Sequence, residues 1–140
     1  KVISHKLSGK IDTKLAIDTV NSAVATRGKS EGIIFHTDRG CQFTSAEFRR
    51  HLDHLNMIQS FSAKGHPYDN AVIDSFFSNM KREELYRTKY RSEKEFKAAV
   101  DTYMQFYNNK RPHKNNQYKT PAEWEAEYYR KQAVLSENMD

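Results

Sequence analysis

Three observations on this 140-residue chain predict an α/β fold. Short apolar runs of strand length alternate with amphipathic helical stretches up to about residue 60. Beyond that point only helical periodicity continues. Three helix starts carry capping residues, which makes the segmentation firm.

Val2 to Leu7 alternates apolar and polar residues like a strand, and Asp12 to Thr26 sets Leu15, Ile17, Val20 and Val24 at helical spacing before Gly28. Ile33 to His36 is a short apolar strand. Thr44-Ser45-Ala46-Glu47 then has the form of a capping box, and Phe48, Leu52 and Leu55 line one face of the helix it opens. Met57 to Phe61 is another expected strand. A loop from Ser62 to Asp69 leads into a helix from about Asn70 to Tyr86, with Asn70 placed to cap it and Phe76 and Phe77 expected in the core.

Ser92-Glu93-Lys94-Glu95 is a second capping box, opening a helix whose face carries Phe96, Val100, Tyr103 and Tyr107 and which stops at or before Pro112. Thr120-Pro121-Ala122-Glu123 opens the last helix with Pro in its favoured first position, and Trp124 and Tyr128 are spaced to pack inward. The length fits one domain, taken here as a core over 1–131 with a flexible tail over 132–140.

Charge is unevenly distributed. Residues 1–80 hold 10 Lys/Arg against 8 Asp/Glu, residues 81–131 hold 13 against 8, and residues 132–140 hold none against 2. The overall +5 and the basic stretch after residue 80 favour an anionic partner. Cys41 is the only cysteine, which excludes an intrachain disulfide and a Cys-rich zinc site and fits a reducing, cytoplasmic setting. No stretch approaches the roughly 20 apolar residues of a membrane span, and the start at Lys1 has no signal-peptide core. A chain that begins on Lys reads as a piece of a longer polypeptide.

The chemistry-bearing pair is Asp38 and Asp74, with 35 residues between them. One carboxylate leaves a strand at a Gly-containing turn and the other lies early in a helix, so a fold that brings them together offers oxygen ligands to a hard divalent cation. His51 and His54 are three apart on a helix, but no third ligand accompanies them.

The segments His36-Thr37-Asp38-Arg39-Gly40, Lys64 to Ala71, Ser75-Phe76-Phe77, Lys81-Arg82-Glu83, Tyr107-Asn108 with Arg111-Pro112-His113, and Thr120 to Trp124 together resemble the integrase core of bacterial insertion-sequence transposases. The resemblance covers roughly residues 1–128. It implies a ribonuclease-H-like fold shared with retroviral integrases, truncated at the N-terminus so that the first strands of the sheet are missing. It also implies two Asp and one Glu holding two divalent ions, Mg²⁺ or Mn²⁺, for DNA cleavage and strand transfer.

Asp38 matches the second acidic position and Asp74 the third, where the family normally has Glu. The family's first catalytic Asp lies upstream of anything present, so this piece alone is expected to be inactive. Asn116 also departs from the family's usual Leu. The resemblance further implies double-stranded DNA as partner (element ends and target), a homo-oligomer, and a separate upstream DNA-recognition domain absent from this chain. Lys81, on the face of Asp74, is the leading DNA contact. Lys64, His66 and Tyr68 on the preceding loop are further candidates, as are Arg111 and His113, which have an equal claim to closing a turn. The alternative is a noncatalytic DNA-binding or assembly remnant of a transposable element. A protein-interaction module without a nucleic-acid role would show no salt-dependent DNA binding.

Overall fold

The computed structural model describes residues 1–63 and 70–137. Its elements in order are α1 (Thr13–Arg27), β1 (Ile34–Thr37), α2 (Cys41–Thr44), α3 (Ala46–His54), β2 (Ile58–Phe61), α4 (Ala71–Met80), α5 (Glu93–Asn109) and α6 (Pro121–Glu137). A π-helical turn, Lys81–Leu85, follows α4, and a 3₁₀ turn, Lys114–Asn116, precedes α6. Two compact units result, Ile3–Glu83 and Lys1–Val2 together with the described residues from Glu84 onward.

In the first unit, Asp12 accepts the Leu15 N–H at 2.8 Å and starts α1. Gly28 ends it at φ 65°, a conformation open to glycine without a Cβ clash. β1 and β2 run parallel in the register Ile34↔Ile58, Phe35↔Gln59, His36↔Ser60 and Thr37↔Phe61. Alternation sends Phe35 and Thr37 to one face and Ile34 and His36 to the other. Phe35 meets Phe48 of α3 at a centroid distance of 5.7 Å, and Phe43 meets the same ring at 5.5 Å. Phe48 and Leu52, four apart on α3, are fully buried against Ala16 and Val20 of α1. The opposite face is bare, with Ile34 65% and Ile58 56% exposed.

In the second unit, Ser92 accepts the Glu95 N–H at 3.1 Å and opens α5, which buries Val100, Tyr103 and Met104 and packs with α6. Thr120 and Glu123 form a reciprocal capping box at the start of α6, at 3.2 and 2.8 Å.

Several expectations are corrected. Val2 to Leu7 is not a strand. The backbone of Val2 is held instead by the side-chain amide of Asn108, which accepts its N–H and donates to its carbonyl, both at 2.8 Å, as a neighbouring peptide would. The N-cap of α3 is Ser45 rather than Thr44, because Thr44 still belongs to the short α2 while the Ser45 hydroxyl reaches the Phe48 N–H. Asn70 occupies the N-cap position of α4 without a side-chain bond; its backbone, at φ −104° and ψ 6°, is outside the extended region that aims a cap at the first turn.

Phe76 is buried, but Phe77 is 44% exposed, since successive helical residues are about 100° apart and one of an adjacent pair turns away. Trp124 and Tyr128 are likewise exposed, 40% and 56%. α6 itself runs from Pro121 to Glu137.

Candidate active site

Asp38 is the first residue after β1, at the edge of the first unit, and its side chain is exposed. Oδ1 accepts the Gly40 N–H at 2.8 Å, which orients the carboxylate while leaving other lone pairs available. The strand end beneath it is pinned to β2. The Nδ1 of His36 meets the Ser60 hydroxyl at 3.0 Å, and its Nε2 meets the Ser62 hydroxyl at 3.1 Å. Hydroxyls donate or accept, so either imidazole tautomer is satisfied.

Arg39 adds a second tie, donating from Nε to the Ser62 carbonyl at 3.3 Å with its guanidinium 5.7 Å from the Phe61 ring centroid. The Ser62 N–H in turn donates to the Thr37 carbonyl at 2.9 Å. Asp38 therefore hangs from a fixed corner of the sheet. Ser60, Ser62 and Arg39 were not singled out from sequence. Their signal is the Ser-x-Ser alternation opposite His36, which gains meaning only once the parallel register is known.

Asp74 lies in the first turn of α4, in the same compact unit, and is exposed. Among the described residues no hydrogen bond or ion pair occupies its carboxylate, and no group of three or more His, Cys, Asp or Glu is placed to hold a metal ion. Asp38 and Asp74 are thus two exposed oxygen donors within one compact unit, of the donor type that Mg²⁺ takes together with waters and substrate phosphates. His51 does not join them, because its Nε2 contacts Asn21 Oδ1 at 2.7 Å.

Lys81 closes α4 in right-handed helical conformation, its N–H bonded to the carbonyls of Phe77 and Ser78, and its side chain is exposed. Seven residues at 3.6 per turn return it to nearly the face of Asp74. Lys64, His66 and Tyr68 lie outside the described residues.

Arg111 and His113 are occupied locally, both against Tyr107. The Arg111 guanidinium lies 5.8 Å from that ring's centroid, and the His113 ring stands edge-on to it at 4.7 Å. The His113 carbonyl accepts from Asn116 and Tyr118, and its Nε2 is shielded from solvent. These two residues shape the turn after α5.

Two family models, both described as integrase core domain, match the chain, one over residues 1–67 and the other over residues 55–121. The transposase for insertion sequence element IS904 of Lactococcus lactis is 32% identical over 126 residues, covering 89% of this chain and 50% of that protein. The transposase InsF for insertion sequence IS3A of Escherichia coli is 36% identical over 113 residues, covering 80% of this chain and 39% of that protein. The chain thus spans about half or less of the length of these relatives.

A Lactococcus lactis protein named an ATP-dependent protease is 43% identical over 94 residues, covering 66% of this chain and 30% of that protein. Most of that protein lies outside the match, and this chain has no Gly-x₄-Gly-Lys phosphate loop. Among solved structures, a chain of the simian T-cell lymphotropic virus intasome complexed with PP2A regulatory subunit B56 gamma superposes with a TM-score of 0.60 at 16% identity, covering 76% of this chain and 37% of that one. At that identity the likeness speaks to the fold. The order of elements, the strand-end carboxylate and these matches agree: the chain belongs to the integrase-core family, as an insertion-sequence transposase core of ribonuclease-H-like fold related to retroviral integrases.

Proposed function

We propose that this chain is the catalytic-core portion of a cytoplasmic bacterial DNA transposase that cleaves DNA strands and transfers them in a reaction dependent on a divalent cation. The observation that carries the reading is Asp38, an exposed carboxylate oriented by the Gly40 N–H at a strand end locked by His36 and Arg39. Such fixing favours a ligand that must hold one position through a reaction. Asp74, exposed in the first turn of α4, is the second ligand.

Mg²⁺ or Mn²⁺ at these carboxylates, two ions in the complete site, would activate the attacking water or 3′ hydroxyl and neutralise charge at the leaving oxygen. The chain's own residues supply the rest. Lys81 faces the DNA backbone beside Asp74, Lys64, His66 and Tyr68 are further DNA contacts, and Arg111, in the turn held by His113, contributes a phosphate contact. Element ends and target DNA are the substrates, the working form is a homo-oligomer, and a third carboxylate comes from a strand upstream.

The test is conversion of labelled duplex DNA ends by the full-length protein in Mg²⁺ or Mn²⁺. Asp38→Asn is expected to bind DNA as well as the parent and to convert none of it. Conversion by Asp38→Asn at the parent rate would overturn the reading. A second reading, a noncatalytic DNA-binding or assembly remnant, draws support from the lack of a three-carboxylate cluster among the described residues and from Asp at a position where the family has Glu. It expects equal DNA binding by both forms and no conversion by either.

A further inference from the structure

Arg39 follows Asp38 directly in the chain, yet the two side chains are not paired. The Asp38 carboxylate accepts the Gly40 N–H, and the Arg39 Nε donates to the Ser62 carbonyl at 3.3 Å, so each is engaged by a backbone group instead of by the other. An Arg joined to a metal-binding carboxylate would compete with the cation for its oxygens. Held apart, each charge stays available to a ligand of the opposite sign, a cation at Asp38 and an anion at Arg39.

The guanidinium is also placed before any ligand arrives. Its tie at Nε runs to the main chain of a buried residue, Ser62, and it lies 5.7 Å from the Phe61 ring centroid, within cation–π range. Much of the freedom that a long side chain forfeits on binding is thus already spent. The Ser62 N–H is bonded to the Thr37 carbonyl, so the anchor belongs to the paired strand ends. Arg39 is nonetheless exposed, and among the described residues no carboxylate pairs with it and nothing occupies its Nη donors. Other cations of the same compact unit are spent locally, Lys14 on Asp18 and the Nη2 of Arg82 on Asn79.

The Nη groups of a guanidinium form a planar fork that matches two oxygens of one phosphate. We propose that Arg39 is a phosphate-binding residue that seats a DNA backbone phosphate beside Asp38, a role that presupposes the DNA transposase proposed for this chain. Arg39 acts on the DNA and not through the carboxylate, so its loss is felt in binding even when no cation is present.

The test is binding of a labelled DNA duplex by the full-length protein over a range of salt concentrations, without divalent cation and in the Asp38→Asn background, which removes the repulsion of an unmetallated carboxylate. Adding Arg39→Gln is expected to weaken binding about tenfold and to reduce the slope of log affinity against log salt by about 0.9, the release expected for one phosphate contact. Arg39→Lys keeps the charge without the fork, and is expected to bind more weakly than Arg while keeping its slope. A residue that only tied the Ser62 carbonyl would leave the slope unchanged in both variants, and that result would overturn the role of Arg39 while leaving Asp38 and the transposase reading in place. Absence of salt-dependent DNA binding by the Asp38→Asn protein itself would overturn both.

Discussion

The two faces of the β1/β2 pair differ sharply although both carry apolar residues. Phe35 and Thr37 look onto α1 and α3, where Phe48 and Leu52 are excluded from water, while Ile34 and Ile58 lie paired across the register and largely exposed. Parallel sheets are ordinarily covered on both sides. The contrast separates what holds this unit together from what it presents outward. The packed face fixes the strands, and the Asp38 carboxylate and the His36 ties belong to the rim and the open side.

The largest effect is expected on the packed face. Phe48→Ala removes a fully buried ring contacted by Phe35 and Phe43 and is expected to lower stability by about 3 to 5 kcal/mol in denaturant unfolding. A loss no larger than that of an exposed-face change would erase the distinction between the faces. Thr37→Val acts in the opposite direction. The Thr37 hydroxyl is buried and has no hydrogen-bond partner among the described residues, so its replacement by an isosteric methyl is expected to raise stability by about 1 kcal/mol, with a corresponding rise in Tm.

On the bare face, Ile34→Thr together with Ile58→Thr is expected to change stability by no more than about 0.5 kcal/mol and to reduce aggregation on heating, measured by light scattering. A large destabilisation would mean that this face is covered in solution.

The smallest effect belongs to a half-buried surface charge outside the sheet. Glu127 bonds to Lys119 and Lys131, and these partners hold its carboxyl down at about 2, against an ordinary value of 4.5. A depressed folded-state pKa gives stability that is present above pH 4.5 and is lost as pH falls through about 2. Glu127→Gln is therefore expected to unfold slightly more readily than the parent near neutrality and to match it near pH 2. The difference should fade in high salt.

Local chemistry made most of the framework legible in the sequence. Asp12 and Gly28 bracket α1, and Ser92 and Thr120 start α5 and α6 as their hydroxyls imply. What sequence left hidden depends on partners remote in the chain. The strand expected over Val2 to Leu7 has no ladder, and Asn108 satisfies the Val2 backbone from more than a hundred residues away. The exposure of Phe77, Trp124 and Tyr128 follows from which helix faces find neighbours, which periodicity alone does not say. The π-helical turn after α4 had no sequence signal. At the site, the sequence singles out Asp38 and Asp74, whereas the Ser60, Ser62 and Arg39 supports of the strand end needed the register of two strands to appear.

The most direct measurement pairs two readouts on one variant, thermal unfolding and DNA strand transfer by full-length Asp38→Asn. An amide oxygen can still accept the Gly40 N–H, so Tm is expected to stay within about 2 °C of the parent, while strand transfer in Mg²⁺ or Mn²⁺ is abolished. Retained strand transfer, or a loss of activity matched by a collapse in Tm, would contradict the assignment of Asp38 to the chemistry rather than to the fold.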